Sequence, residues 1–300
     1  MIPIFVLTLK GSKREKIIKK RLNDCGLDFK FIYGINGKDK KNYKYLDSNY
    51  NKKKAEFILG RKMPYSEICA SYGHLKIYKY IKEKNIKKAL ILEDDAWPSK
   101  SLKKILKVKN LSNKYDVIGL NCYDGFVYKK SNYKILNKFH LHKAKTHLIN
   151  ISAYIISLKA CKKILKKTNG QVISIPDWPI NFIKNSIVSS VLLPYPIVID
   201  DNKFSYLKSD RKKVTPDKMI KKIIPQNIMG IISFFYYIFH IPYIFRRYPS
   251  YNFYKEYFIE KKIAILEKLL CNNLISTREI ILNKSYYLKD LFSIIDKKNK

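Results

Sequence analysis

Up to Ile199 the chain runs in short apolar blocks separated by helical patterns. Ile4 to Leu9 form an apolar run that predicts a strand. Gly11-Ser12 then opens an amphipathic helix with Ile17, Ile18, Leu22 and Cys25 on one face and Gly26 as its stop. Phe29 to Tyr33 predict a second strand that ends in Gly34-Ile35-Asn36-Gly37, which makes a β-α-β start. Asp39 to Lys62 is polar, without clear periodicity, and reads as a loop able to order over a ligand. Beyond Pro64 a helix is expected from Glu67 to Glu83, carrying Ile68, Leu75, Ile77, Tyr78 and Ile81. An uninterrupted apolar run from Ala89 then predicts a buried strand.

The later blocks repeat the pattern. A helix is expected from Ser99 to Lys107, strands at Tyr115 to Leu120 and Ile149 to Ser157, and a helix from Lys159 to Lys167 ended by Asn169-Gly170. A strand from Val191 to Ile199 closes the series. Such alternation predicts an α/β fold, a Rossmann-like, mostly parallel sheet flanked by helices. Residues 1–215 are assigned to this domain and 216–300 to a helical, basic and aromatic C-terminal extension.

That extension holds Ile223 to Phe245, a stretch of 23 residues without a formal charge between Lys221-Lys222 and Arg246-Arg247. Pro225, Gly230 and Pro242 interrupt it. Its clean apolar part, Ile228 to Phe239, would span about 18 Å as a helix against a hydrocarbon core of about 30 Å. Aromatics with basic flanks suit a segment lying on an anionic membrane surface; a core or dimer helix and a true span are the alternatives. Ile263, Leu266, Leu269 and Leu270 stand at helical spacing in the last fifty residues.

Composition adds an apolar content of 46%, enough for a core, and 61 basic against 24 acidic residues, a net charge of +37. The surplus is spread along the chain. It admits a non-enzymatic polyanion binder as the rival class, although Lys, Asn, Ile and Tyr share A/T-rich codons. Five widely spaced cysteines with no CxxC pair point to free thiols in a reducing, cytoplasmic compartment.

The candidate chemistry begins at the end of the central strand, where Glu93, Asp94 and Asp95 stand consecutively. Carboxylates taken from water must be paired, solvated or bound to a cation. In open α/β sheets ligands sit outside the carboxyl ends of strands, so the triplet fits a hard divalent cation shared with a diphosphate; an acidic turn capping the helix near Ser99 is the alternative. Arg14 is either a phosphate contact or part of a solvated helix face. His74 is either a hydrogen-bonded core histidine or a catalyst. His140 and His142 share one strand face without a carboxylate beside them. In Ile175-Pro176-Asp177-Trp178-Pro179 two prolines fix an acid and an aromatic, suited to a sugar hydroxyl and a sugar face; Asp177 could instead cap a helix after Pro179.

Several of these stretches together resemble glycosyltransferase family 25, the lipooligosaccharide glycosyltransferases related to collagen galactosyltransferases. The motifs are IFVLTLKGSKR, FKFIYGING, EICASYGHLKIYKYI, KKALILEDDAWPS, and SAYIISLKACKKIL followed by IPDWP, over roughly residues 3 to 200. The resemblance implies a GT-A type fold, a UDP-sugar donor, usually UDP-galactose, and Mn2+ or Mg2+. It places Glu93 and Asp95 at the metal, and Leu9, Arg14, Gly34, Asn36 and Asp94 at the nucleotide. Asp177 and His74 become catalytic candidates, with Asp124, Asp200 and Asp201 as alternative bases, and Trp178 and Glu67 fall to the acceptor. Two departures stand out: Asn36 replaces the usual Asp, and Gly73 the usual Ser before His74. The expected protein is a metal-dependent, inverting hexosyltransferase with a β-1,4-galactosyl product on a lipooligosaccharide or other surface glycan, peripheral on the inner face of the cytoplasmic membrane. A homodimer is compatible, no specific nucleic acid is expected, and an inactive scaffold is the remaining alternative.

Overall fold

The computed structural model describes residues 1–199, apart from Gly60, Asn110, Ser112, Ser131, Asn132, Asn137, Ile149, Asn150 and Trp178, together with residues 252–277. In chain order the first half contains β1 (Ile4–Thr8), α1 (Lys13–Asp24), β2 (Lys30–Tyr33), α2 (Tyr43–Ser48), α3 (Lys52–Leu59), α4 (Tyr65–Glu83), β3 (Lys88–Glu93) and β4 (Ala96–Pro98). There follow α5 (Leu102–Leu106), β5 (Val117–Gly119), β6 (Phe126–Tyr128), β7 (Tyr133–Ile135), β8 (Phe139–Lys143), β9 (Ala153–Ser157) and α6 (Leu158–Thr168). Last come β10 (Ser189–Leu193), β11 (Ile197–Ile199), α7 (Asn252–Cys271) and β12 (Leu274–Ser276).

Eight strands form the central sheet in the order β2-β1-β3-β9-β5-β10-β8-β7. Six run in one sense while β8 and β9 run against them, so the sheet is mostly parallel in strand direction, as the pattern predicts. β4 pairs with β11 and β6 with β12 in two small antiparallel ribbons. Helices cover both faces because β3 is apolar on both: Ala89 and Ile91 join the core under α4 and α6, whereas Leu90 and Leu92 join the one under α1 and α5. The three parallel strands β2, β1 and β3 are in register, with Thr8 opposite Tyr33 and Leu7 opposite Glu93. Their carboxyl ends therefore share one sheet edge.

Local chemistry fixes the element ends. The Ser12 hydroxyl caps α1 by accepting from the Glu15 amide at 3.0 Å, and Ser157 caps α6 by accepting from the Ala160 amide at 3.1 Å. Asn169 takes the left-handed conformation, φ 50°, at the end of α6.

Four expectations need correction. Residues 39–62 are not a loop. They fold into a 3-10 turn at Lys40–Asn42, α2 and α3, because Tyr43 stacks on Tyr65 with centroids 3.6 Å apart while Leu46, Ala55 and Leu59 are buried. The helix expected from Ser99 is only Leu102–Leu106. The last strand is two, β10 and β11, divided by Pro194 and Pro196, which lack the amide a ladder needs. No helix follows Pro179; residues 182–186 make turns.

α7 is helical where the leucine spacing predicts, but a different face packs. Ala264 is buried against Phe126 and Leu274, and Ile263, Leu266, Leu269 and Leu270 are exposed. Polar contacts dock the helix: Glu260 accepts from the His147 amide at 3.0 Å, Lys261 pairs with Asp124, and Glu267 pairs with Lys145. Among the described residues no helix is long and apolar enough to cross a membrane, and residues 223–245 lie outside them. All five cysteines are unpaired thiols.

Packing makes two positions testable. A Cβ on Gly37 would lie 2.8 Å from the Ser66 backbone at the start of α4. Gly37→Ala should therefore cost about 1–3 kcal/mol, read as a lower denaturant midpoint, and an unchanged midpoint would refute the close approach. His147 is fully buried against Phe182, and burial lowers its imidazole to about 3. The unfolded chain protonates near 6.5, so this site's contribution is complete above that pH and is lost as pH falls toward 3. Thermal melts between pH 6.5 and 4 should show a shallower acid slope in His147→Gln than in the wild type, and parallel slopes would exclude His147 as the cause.

Candidate active site

The three carboxylates stand where β3 leaves both cores. Glu93 is its last residue, Asp94 and Asp95 make the turn, and β4 starts at Ala96. The triplet caps no helix, since β4 separates it from α5. Asp94 is held from the neighbouring strand and helix: Thr8 Oγ1 donates to it at 2.7 Å and Arg14 Nη1 at 3.1 Å. The same guanidinium stands 3.8 Å from Asp95 Oδ2. Arg14 thus faces the acids from the first turn of α1 rather than a solvated surface.

The pairing is incomplete. Burial raises the Asp94 carboxyl above the ordinary aspartate value against the pull of Thr8 and Arg14. Asp95 is pushed up to about 7, first by burial and then by the charge of Glu93, with Arg14 opposing. Its Oδ1 is buried without a hydrogen-bond donor. A carboxylate oxygen in that state is a fit for a cation. Among the described residues no three His, Cys, Asp or Glu side chains are placed to hold a metal ion. A cation here would take one or two carboxylates and complete its shell with ligand and water oxygens, as Mg2+ commonly does.

Glu93 is held from α4. His74 Nε2 lies 3.2 Å from Glu93 Oε1, and His74 Nδ1 lies 2.7 Å from the Tyr154 hydroxyl on β9, which lies 2.6 Å from that of Tyr78. The imidazole is 2% exposed and stacks on Tyr154. Two turns earlier on the same helix, Glu67 is 0% exposed, and both its oxygens accept from Arg61, at 2.8 and 2.9 Å. Both oxygens of Glu67 are thus engaged in a buried ion pair, and an acceptor would have to displace Arg61 to reach them.

Asp177 reaches the same edge from the other side. Its Oδ1 accepts from the Ile151 amide at 3.2 Å, and Ser152 next to it receives the Glu93 amide at 2.8 Å. His147 Nε2 donates to the Asp177 carbonyl at 2.7 Å, which fixes the proton on that nitrogen because a carbonyl only accepts. Asp124 is engaged by Lys261 at 2.8 and 2.9 Å. Asp200, Asp201 and Trp178 lie outside the described residues.

The remaining predicted positions are dispersed. The Gly34 amide donates to the Thr8 carbonyl at 2.9 Å, which ties the end of β2 to β1 beside half-buried Leu9. Asn36 is exposed and its Oδ1 accepts from the Lys38 amide at 3.0 Å. His140 and His142 share a face of β8 with ring centroids 6.5 Å apart, and His142 Nδ1 faces the Tyr128 carbonyl. Pattern reading missed Thr8, Tyr154, His147 and Asn121, whose side chain bridges the Ser152 hydroxyl and the Ala153 amide at 3.0 and 2.8 Å. Thr8 and Asn121 carried a weak signal as polar residues ending apolar runs; Tyr154, inside one, carried none.

No curated protein matches the chain. Among solved structures, the mannose-1-phosphate geranyltransferase of Thermus thermophilus overlaps 66% of this chain and 75% of its own at 7% identity, with a TM-score of 0.33. The inositol-1-phosphate CTP transferase of T. maritima overlaps 70% and 77% at 12% identity, with a TM-score of 0.32. Overlaps this loose carry no weight for function. The family model described as glycosyltransferase family 25 (LPS biosynthesis protein) matches residues 1–177, a span that holds β1, β3 with its acids, His74, Tyr154 and Asp177. With more than half its length matched, the chain belongs to glycosyltransferase family 25.

Proposed function

We propose that this glycosyltransferase takes a hexose, galactose from UDP-galactose, and transfers it with inversion onto a lipooligosaccharide or related surface glycan as a β-1,4-galactosyltransferase. The observation that carries the donor reading is Asp95, a partly buried carboxylate beside Glu93 whose Oδ1 is buried without a donor. Glu93 and Asp95 would hold Mn2+ or Mg2+, and the cation when bound supplies neutralisation of the charge that grows on the leaving diphosphate. Arg14 projects from the first turn of α1 and offers a second cation at the same edge. Leu9 and Gly34, at the ends of β1 and β2, and Asn36 just beyond would face the nucleotide.

Inversion in a single displacement needs one base and no protein nucleophile. Asp177 takes that role because the Ile151 amide and the His147 contact hold it at the edge it shares with Glu93. Asp124 is a poorer base, since Lys261 engages both its oxygens. Trp178 next to Asp177 would cover a sugar face. Peripheral attachment to the cytoplasmic leaflet rests on the uncharged stretch 223–245 and its basic flanks.

A screen of nucleotide sugars with manganese should find hydrolysis or transfer from UDP-galactose that chelation abolishes; activity from no donor would defeat the reading. Within that assay Asp177→Asn should lower kcat by about 10²-fold or more with little change in donor KM, and Asp95→Asn should abolish turnover. Near-normal turnover by Asp177→Asn would pass the base role elsewhere. Flotation with liposomes should recover more protein from anionic than from neutral vesicles, and equal recovery would remove the electrostatic attachment.

A further inference from the structure

The residues behind Glu93 form a chain whose hydrogens can be assigned. Tyr78, Tyr154 and His74 are buried, and their polar atoms follow one another at 2.6, 2.7 and 3.2 Å to Glu93 Oε1. Two polarities are conceivable. In one, Tyr78 donates to Tyr154, Tyr154 donates to His74 Nδ1, and Nε2–H donates to an ionised Glu93. In the other, Nδ1–H donates to Tyr154 and Tyr154 to Tyr78, which leaves the Tyr78 proton buried with no acceptor in the chain. The same defect follows if the imidazole carries both protons. Stranding a buried donor costs about 1–3 kcal/mol, and only the first polarity uses every proton. Burial raises both phenols, so neither gives its proton up.

We infer that Tyr78, Tyr154 and His74 are positioning residues that aim the Glu93 carboxylate: a one-way relay of hydrogen bonds fixes the Nε2–H tautomer of His74 and pins Oε1, so that the other oxygen turns to the cation. His74 is then not the acid or base of the reaction. Its ring is enclosed and both nitrogens are in use, which leaves it unable to meet a substrate. The inference rests on the proposed cation site. It names in this chain the outer hydrogen bonds that metal-bound carboxylates generally require, whose loss typically lowers metal affinity about 10- to 100-fold.

Tyr154→Phe tests it, because the ring that stacks on His74 is kept and only the hydroxyl is lost. Manganese binding to the donor-free protein, read by paramagnetic resonance of free Mn2+, should weaken about 10-fold, while Asp177→Asn binds as the wild type does. In 15N spectra the wild-type His74 should show a protonated Nε2 and a hydrogen-bonded, unprotonated Nδ1, and Tyr154→Phe should show a mixture of tautomers. His74→Gln, which still offers an N–H, should retain more manganese affinity than His74→Ala. A wild-type Nδ1–H tautomer, or unaltered manganese binding in a folded Tyr154→Phe, overturns the relay alone. Absence of manganese binding by the wild type overturns the functional reading and the purpose of the relay with it, and the tautomer still reports which way the chain of bonds runs.

Discussion

Three consecutive carboxylates at the end of a strand buried on both faces impose a charge that the fold cannot cancel. Alternation along β3 sends Ala89 and Ile91 to one core and Leu90 and Leu92 to the other, so the acids fall at the first place where water can reach the strand. Thr8 and Arg14 answer Asp94, His74 answers Glu93, and Asp95 has only the longer 3.8 Å contact with Arg14 against burial and the like charge beside it. Packing alone would favour a neutral residue at 95. An acid at that position keeps a carboxyl whose charged form burial and Glu93 both disfavour.

The rest of the edge follows from this surplus. Parallel pairing of β1 with β2 and β3 brings Thr8, Gly34 and Glu93 to one rim, and the capped start of α1 places Arg14 over it. The reversed strand β9 contributes from the opposite direction. Its first residues enter at the same rim, and so Ser152 receives the Glu93 amide while Ile151 holds Asp177. A wholly parallel sheet would have put a strand's carboxyl end there, and the loop carrying Asp177 would have had no such anchor.

Legibility in the sequence tracked how far each element depends on its own period. β1, α1, β2, α4, β3 and α6 bury one clear stripe or run and were readable within a few residues. Residues 39–62 were not, because their helices rest on the Tyr43–Tyr65 stack and on a few buried positions such as Leu46, contacts with no periodic trace. In α7 the leucine stripe predicted the helix and misled about its face, since Glu260, Lys261 and Glu267 dock it through polar bonds. At the site the acids announced themselves by type and place. Their partners did not: Tyr154 looks like any aromatic in a strand, and Glu67 and His74, two turns apart on one helix, look equivalent until Arg61 claims the first.

The glycine before His74 belongs to the same geometry. A Cβ at Gly73 would sit 2.7 and 2.9 Å from the terminal methyl groups of Leu7, tighter than carbon atoms tolerate, so α4 lies against β1 at a distance that a serine could keep only if Leu7 swung aside. Leu7 is the residue in register with Glu93. Lowering the helix onto Leu7 therefore lowers the next residue, His74, toward the carboxylate on the adjacent strand, where its Nε2 comes within 3.2 Å. The bare glycine and the reach of the histidine belong to one packing arrangement: with no side chain at 73 the helix backbone lies close on Leu7, and the next residue stands within hydrogen-bond distance of Glu93.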